Sequence, residues 1–146
     1  MNPQHILLPT DLSELSLRPL DHSPELFEGR RVTLLHFVTS ASTVVEDEAT
    51  DAPVDDPRVA GEMAEAREAL AKIAAHLPAS VEVALEVHAG REAGKDIASW
   101  AKKNGVDLIA ISTHGLTGLR RFLIGSIAES VLKNATVPVL VFPARD

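Results

Sequence analysis

A loop rich in glycine and hydroxyl side chains is the stretch of this sequence best suited to chemistry. It begins with Ser112-Thr113-His114-Gly115, ends with Gly125-Ser126-Ile127, and follows the apolar run Leu108–Ile111. Ser126 and Glu129 have the spacing of a capping box, which predicts that Ser126 opens a helix with free backbone N–H groups. A strand, a glycine loop and a helix N-terminus together form a site suited to phosphate.

A purely structural interpretation of the same loop stays open. Ser126 is needed as an N-cap whether or not a ligand binds, and the loop glycines can serve only as turn residues. The loop contains neither the Gly-Lys-Ser/Thr of a P-loop nor a G-x-G-x-x-G motif. Arg120 and Arg121 offer positive charge for a phosphate, but such residues are more often solvated at the surface.

The turn after the first predicted strand is a second candidate. The apolar run Ile6–Pro9 leads into Thr10 and Asp11. Open parallel sheets place their ligand crevice at the carboxyl ends of the strands, so Asp11 can contact a ligand there. Asp11 or Thr10 can equally act as the N-cap of the following helix.

These motifs resemble those of a known family. Ser112-x2-Gly115-x9-Gly125-Ser126 is similar to the nucleotide-loop signature of the universal stress protein family, Gly-x2-Gly-x9-Gly-Ser/Thr. Ile6-Leu7-Leu8-Pro9-Thr10-Asp11-Leu12-Ser13 resembles the family's first strand and its Pro-Thr-Asp turn, and Leu34-Leu35-His36-Phe37-Val38 resembles its second strand. The resemblance covers nearly all of the chain. One departure is Ser112, which stands where the signature has its first glycine and whose side chain can crowd a nucleotide.

The resemblance implies that the chain binds an adenine nucleotide, ATP or AMP, with any Mg²⁺ held mainly by the phosphates. The strand ends would take the adenosine, and the helix N-terminus would take the phosphates. The implied binding residues, from the adenosine end to the phosphates, are Pro9, Thr10, Asp11, Phe37, Ser112, Thr113, His114, Gly115, Gly125, Ser126 and Ile127. Part of the same family does not retain nucleotide, so a dimeric interaction or regulatory module of the same fold is the alternative.

Strands and helices alternate along the chain. The pattern predicts five strands and four helices, which is typical of an α/β protein with a five-stranded, mainly parallel open sheet and helices on both faces. This Rossmann-like arrangement is the one that the family resemblance implies, the adenine nucleotide alpha-hydrolase-like fold. Residues 1–146 are expected to form a single domain.

Two segments carry more detailed expectations. Pro19 and Pro24 predict a short helix to about Arg18, then a break, then a turn or two ending near Gly29. Residues 39–56 are acidic without a basic residue, which indicates a solvated loop or a gate over the crevice.

The predicted strands differ in their surroundings. His36, inside the second strand, is interpreted as a hydrogen-bonded core residue. Strict alternation in residues 81–88 predicts a third strand near the sheet edge. The run Val139–Phe142 forms an apolar edge through which a homodimer is expected.

Composition excludes several classes of function. The net charge of −7 and an aromatic content of 3% disfavour a nucleic-acid partner, and the absence of cysteine excludes disulfides and thiolate zinc sites. No secretory signal is visible, and no apolar run approaches the roughly 20 residues of a membrane helix. A cytoplasmic protein with no membrane partner is expected.

Catalytic chemistry is not evident in the sequence. No convergent acid, base and nucleophile set is visible, and the six histidines contain no zinc-binding pair, so neither catalytic nor metal-binding residues are expected. His114 is expected to hold its loop by a backbone hydrogen bond rather than to transfer a proton. Any ATPase activity is expected to be slow or absent. A phospho-acceptor receiver domain is excluded because Asp11 stands without a second acidic residue after the first strand.

Overall fold

The computed structural model describes residues 2–39, 57–113 and 126–143. In chain order the elements are β1 (His5–Pro9), a 3₁₀ turn (Leu15–Leu17), α1 (Arg18–His22), α2 (Pro24–Phe27), β2 (Arg31–Thr39), α3 (Pro57–Ala75), β3 (Glu82–Gly90), α4 (Ala93–Lys103), β4 (Leu108–Ser112), α5 (Ser126–Asn134) and β5 (Val139–Phe142). The predicted order of alternating strands and helices is confirmed. The acidic segment 40–56 and the loop 114–125 lie outside the described residues.

The five strands form one sheet in the order β3-β2-β1-β4-β5, and every pair of neighbours is parallel. In β1, Leu7 pairs with Thr33 of β2 on one side and with Ile109 of β4 on the other. The predicted fold class is therefore confirmed. The prediction that the third strand lies at the sheet edge is also confirmed, and β5 forms the opposite edge.

Helices cover both faces of this sheet because successive side chains of a strand point to opposite sides. Ile6 and Leu8 face α2 and α3, whereas Leu7 faces α4 and α5, and all three side chains are fully buried. Burying a side chain of this size contributes about 1.5–3 kcal/mol. The central strand thus belongs to two hydrophobic cores, one on each face.

The segment between β1 and β2 corrects one expectation. A helix was expected to end near Arg18 because Pro19 would interrupt it, but α1 begins at Arg18 and α2 begins at Pro24. Both prolines lie in the first turn of a helix, where the missing N–H group would have no intrahelical partner. The expected end near Gly29 is confirmed, since Gly29 has a positive φ of 70° just before β2.

The helices on the rest of the chain follow their apolar patterns. In α3 the side chains of Val59, Ala66 and Leu70 are buried. Asn104 is the C-cap of α4, and Gly105, which follows it, has a φ of 67°. None of the helices in the described parts of the chain combines the length and apolar character needed to cross a membrane.

Polar contacts at the amino ends of the strands tie β1 to its neighbours. The Asp107 carboxylate accepts hydrogen bonds from the backbone N–H groups of Gln4 and His5 at 2.9 and 3.0 Å. These bonds hold the pKa of Asp107 below its ordinary value. The His5 ring is buried, lies 2.8 Å from the Thr33 hydroxyl and meets the edge of Trp100 with 6.4 Å between ring centroids.

The buried position of His5 predicts a loss of stability in mild acid. Burial, followed by the nearby Arg31 charge, lowers the pKa of His5 below its ordinary 6.5. Because the unfolded chain then binds this proton at higher pH than the folded chain, the free energy of unfolding must fall as the pH drops below about 6.5. Urea titrations between pH 7.5 and pH 5 measure this slope. His5→Gln is expected to flatten it.

His76 provides the matched control because its side chain is exposed at the end of α3. His76→Gln should keep the slope of the parent protein. A His5→Gln protein with the same pH dependence as the parent would contradict the assignment of the slope to His5.

Candidate functional site

A cleft of about 240 Å³ lies where the strand order reverses, between the carboxyl ends of β1 and β4. The chain moves from β1 to β2 and β3 on one side of the sheet, and from β4 to β5 on the other. Doubly wound sheets open a crevice at such a point. The described residues that line the cleft are Pro9, Thr10, Asp11, Leu15, Ser16, Leu35, His36, Phe37, Ala93, Ile97, Ile111, Ser112, Ile127 and Ala128.

Six of the residues expected at a nucleotide site line this cleft: Pro9, Thr10, Asp11, Phe37, Ser112 and Ile127. Thr113 and Ser126 are the chain neighbours of lining residues, at the end of β4 and the start of α5. The other three, His114, Gly115 and Gly125, lie outside the described residues, as do Arg120 and Arg121. The structure therefore brings the ends of β1, β2 and β4 together with the first turn of α5.

Thr10 organises the turn that follows β1. Its hydroxyl accepts a hydrogen bond from the Leu12 N–H at 2.9 Å and lies 2.6 Å from the Ser16 hydroxyl, while its own N–H donates to the Leu35 carbonyl. Asp11 accepts hydrogen bonds from the N–H and the hydroxyl of Ser13. The turn is thus closed by its own side chains.

The interpretation of Asp11 or Thr10 as a helix N-cap is corrected by this geometry. The first helical residues are Leu15–Leu17, and the side chain at their N-cap position, Glu14, makes no capping hydrogen bond. The Ser13 hydroxyl instead accepts a hydrogen bond from the Ser16 N–H at 3.2 Å. Thr10 and Asp11 instead close tight turns with residues two positions along the chain, a common alternative for Thr and Asp side chains. Leu12, between them and the helix, has a φ of 73°, a conformation that only a tightly held turn imposes on such a residue.

His36 lines the cleft although the sequence indicated a core histidine. Its ring is half-buried, and its Nδ1 donates a hydrogen bond to the Thr10 carbonyl at 2.8 Å. The expected hydrogen bond is therefore present, but it ties the end of β2 to the end of β1 at the mouth of the cleft. The sequence could have indicated that His36 lies at the cleft, because it precedes Phe37 near the carboxyl end of β2.

The apolar walls of the cleft were missed by the sequence analysis. Leu35, Ile97 and Ile111 belong to the core on the α4–α5 face, and they form an apolar wall of the cleft. Ala93 and Ala128 lie in the first turns of α4 and α5 and leave space there. Ordinary core residues carry no motif, so only their place beside the strand ends distinguishes them.

Ser112 is the polar residue at the end of β4. Its side chain is buried, with 9% of the residue exposed, and its Oγ has no hydrogen-bond partner within the described parts of the chain. Buried hydroxyl groups without a partner are uncommon in folded proteins. Ser112 is therefore the polar group on the cleft wall with unused hydrogen-bonding capacity.

The electrostatics of the described wall are simple. Among the described lining residues, the exposed Asp11 carries a negative charge, and none is a lysine or an arginine. In residues 2–39, 57–113 and 126–143, no group of three His, Asp or Glu side chains is placed to hold a metal ion. Anion binding at this wall would depend on hydroxyl and backbone N–H groups.

The N-terminus of α4 lies close to Phe37, one of the residues that line the cleft. Asp96 accepts hydrogen bonds from the backbone N–H groups of Arg91 and Glu92 at 3.0 and 3.1 Å. Its carboxylate fits against Gly90, where a Cβ atom would lie 3.0 Å from the Asp96 Cγ and 2.9 Å from the Phe37 ring. A side chain at position 90 would therefore displace two groups that shape the site.

An all-parallel sheet with helices on both faces and a cleft at its switch point defines a doubly wound α/β protein. The chain belongs to the universal stress protein family, whose sequence model matches residues 2–143. The resemblance drawn from the motifs is thereby confirmed.

Individual relatives agree with this assignment. A 46-residue segment is 54% identical to Universal stress protein MJ0531 of Methanocaldococcus jannaschii, covering 32% of this chain and 27% of that protein. The matched segments thus span about a quarter to a third of the curated relatives. The solved structure of protein MJ0577 is 25% identical, covers 100% of this chain and 99% of its own, and superposes with a TM-score of 0.72. A universal stress protein in complex with cAMP, 19% identical with 99% and 100% coverage and a TM-score of 0.64, shares the fold.

Gly90→Ala is expected to lower the free energy of unfolding by about 1–3 kcal/mol, because an inserted methyl group overpacks the contact with Asp96 and Phe37. Urea denaturation measures the change. Gly61→Ala is the matched control, since an added Cβ atom on this exposed face of α3 meets nothing within 4 Å. It should raise stability by about 0.5–1 kcal/mol. Equal effects of the two substitutions would show that position 90 is not tightly packed.

Proposed function

We propose that this protein binds an adenine nucleotide, ATP or AMP, in the cleft between β1, β4 and α5, and acts in the stress response. The observation that carries the proposal is the convergence, at the switch point of the sheet, of two strand ends with the first turn of a helix. Open α/β sheets bind their ligands at this place.

The inner part of the cleft suits a planar base. Leu35, Ile97 and Ile111 supply an apolar wall, and the Phe37 ring lies beside it. Pocket walls of this kind bury most of a small ligand, while a few polar groups fix its orientation. The side chains of Thr10 and His36 are the polar groups that line the cleft at this end, and His36 Nδ1 donates a hydrogen bond to the Thr10 carbonyl.

The outer part of the cleft suits phosphate. Ile127 and Ala128, in the first turn of α5, line the cleft, so the free N–H groups of that turn are close to it. The positive end of the helix dipole favours an anion there. Ser112, at the end of β4, also lines the cleft, but it shares a sheet face with Ala110 and Phe142, opposite to that of α5.

The choice of an adenine nucleotide rests on the family. A relative of the same fold forms a complex with cAMP, so this architecture accepts an adenine nucleotide. Mg²⁺ would accompany the phosphates and be held mainly by them and by water. We assign the protein to the cytoplasm, a reducing compartment with which a cysteine-free sequence is compatible.

A dimeric interaction module is the second candidate function, and β5 is the observation that favours it. The four residues of β5 are all apolar, and Leu140 is 41% exposed at the sheet edge. The opposite edge, β3, carries Glu82 and Glu86, and charged side chains deter strand pairing. We therefore propose that two copies associate through β5. Such a dimer is compatible with nucleotide binding.

Nucleotide binding is expected to raise the melting temperature of the protein. A ligand at 100 times its dissociation constant stabilises the folded state by about 2.7 kcal/mol. Thermal unfolding with and without millimolar ATP or AMP measures the shift. Ala93→Trp should abolish it, because the indole fills the cleft from the first turn of α4.

Ala71→Trp is the control, since Ala71 is exposed on α3 and is not among the residues that line the cleft. It should respond to ATP and AMP as the parent does. A parent protein that neither nucleotide stabilises would refute the proposed function. An Ala93→Trp protein that still binds would refute the proposed location.

Leu140→Lys is expected to convert a dimer into a monomer, because it places a charge in the middle of the apolar edge. Sedimentation velocity of the parent and the variant measures the change. Leu85→Lys is the matched control, because Leu85 is 37% exposed on the opposite edge strand. It should leave the dimer intact. A monomeric parent protein, or a dimer that survives Leu140→Lys and dissociates with Leu85→Lys, would refute association through β5.

A further inference from the structure

Helices α4 and α5 pack against each other beside the cleft, and the beginning of each helix lines it. Ala93 and Ile97 of α4 and Ile127 and Ala128 of α5 are all lining residues. The two helices also share one hydrophobic core, to which Ile97 and Ala128 belong. The distance between the two helices therefore determines how far apart these walls of the cleft lie.

The two helices approach each other closely at Gly94, a buried residue next to Ala93. A Cβ atom added to Gly94 would lie closer than 3.0 Å to both the Cβ and the Oγ atom of Ser130, and 3.2 Å from the Ile127 carbonyl oxygen. The Ser130 hydroxyl can rotate away. The Ser130 Cβ atom and the Ile127 carbonyl are fixed to the backbone of α5, so relief of the contact requires the backbone of one helix to move.

Glycine is otherwise unfavourable in the interior of a helix, because it loses more conformational freedom on folding than alanine does. Gly61 in α3 has open space beside it, so a side chain could be added there without a clash, whereas Gly94 has none. The absence of a side chain at Gly94 thus permits close packing of α4 on α5, at a cost in helix propensity.

We propose that the contact between Gly94 and Ser130 sets the width of the cleft, and that Gly94 is a positioning residue for the bound nucleotide. Gly94 is not among the described residues that line the cleft, so it acts through Ala93 beside it and through the first turn of α5. This inference rests on the proposed nucleotide function.

The size of the required movement explains why binding would respond to it. Groups that bind a ligand must be held within about 0.5 Å of their productive positions. Moving Ser130 away from an added Cβ atom to an ordinary contact distance of 3.4 Å or more exceeds this tolerance. The free N–H groups of the first turn of α5 would then no longer lie where the phosphates need them.

Gly94→Ala is expected to weaken binding of the nucleotide that the parent protein binds, ATP or AMP, about tenfold or more, because the methyl group forces the two helices apart. Isothermal titration of the parent and the variant measures the affinities. Adding Ser130→Gly to Gly94→Ala should restore the affinity of the parent, since it removes the Cβ atom that the methyl group meets. Adding Ser130→Ala should not restore it, because alanine keeps that atom.

Gly29→Ala is the control for a general loss of stability. Gly29 has a φ of 70°, which strains any side chain, but an added Cβ atom meets nothing within 4 Å and Gly29 is not among the described lining residues. This variant should melt at a lower temperature than the parent and bind the nucleotide with the affinity of the parent.

Several results would overturn the inference. One is a Gly94→Ala protein that binds as the parent does, and another is a Gly29→Ala protein that loses as much affinity as Gly94→Ala. If Gly94→Ala alone does not fold, the variant that also carries Ser130→Gly must fold and bind, and its failure to do either would contradict the role of this contact. These outcomes leave the proposed function standing. A parent that binds neither ATP nor AMP would refute the proposed function, and this inference with it.

Discussion

The pairing of β1 with β2 on one side and with β4 on the other is the constraint on which the rest of the structure depends. It buries Ile6, Leu7 and Leu8 completely and gives the sheet its two cores. Strand β2 follows β1 on one side of the sheet and β5 follows β4 on the other, and doubly wound sheets open a crevice at such a point. The cleft is therefore a consequence of strand order, and its position does not depend on any single motif.

Hydrogen bonds within the turn after β1 determine what chemistry the cleft presents. The turn is held by hydrogen bonds of the Thr10, Asp11 and Ser16 side chains. His36 donates a further hydrogen bond to the Thr10 carbonyl. The polar groups that the sequence offers at this end are thus largely structural. The apolar wall behind them belongs to the core on the α4–α5 face.

Much of the fold was predictable because it follows from local patterns. Alternation along β3 and the apolar run of β5 correctly indicated sheet edges, and Asn104-Gly105 correctly marked the end of α4. The prolines were misinterpreted because proline breaks a helix interior and also favours a first turn, and the sequence does not specify which of these positions it occupies. Capping at Thr10 was misassigned for a similar reason, since the same side chain can cap a helix or close a tight turn.

The sequence by itself determined the type and order of the elements, the two strand ends that carry Thr10 and Ser112, and the family. These are encoded by periodicity and by residues close together in the chain. Only the tertiary structure decided that Ile97 and Ala93 of α4 would form a wall of the cleft, and that the buried Ser112 hydroxyl would have no hydrogen-bond partner among the described residues. Such properties arise from contacts between segments far apart in sequence, and burial and hydrogen-bond satisfaction are defined only once those segments have packed.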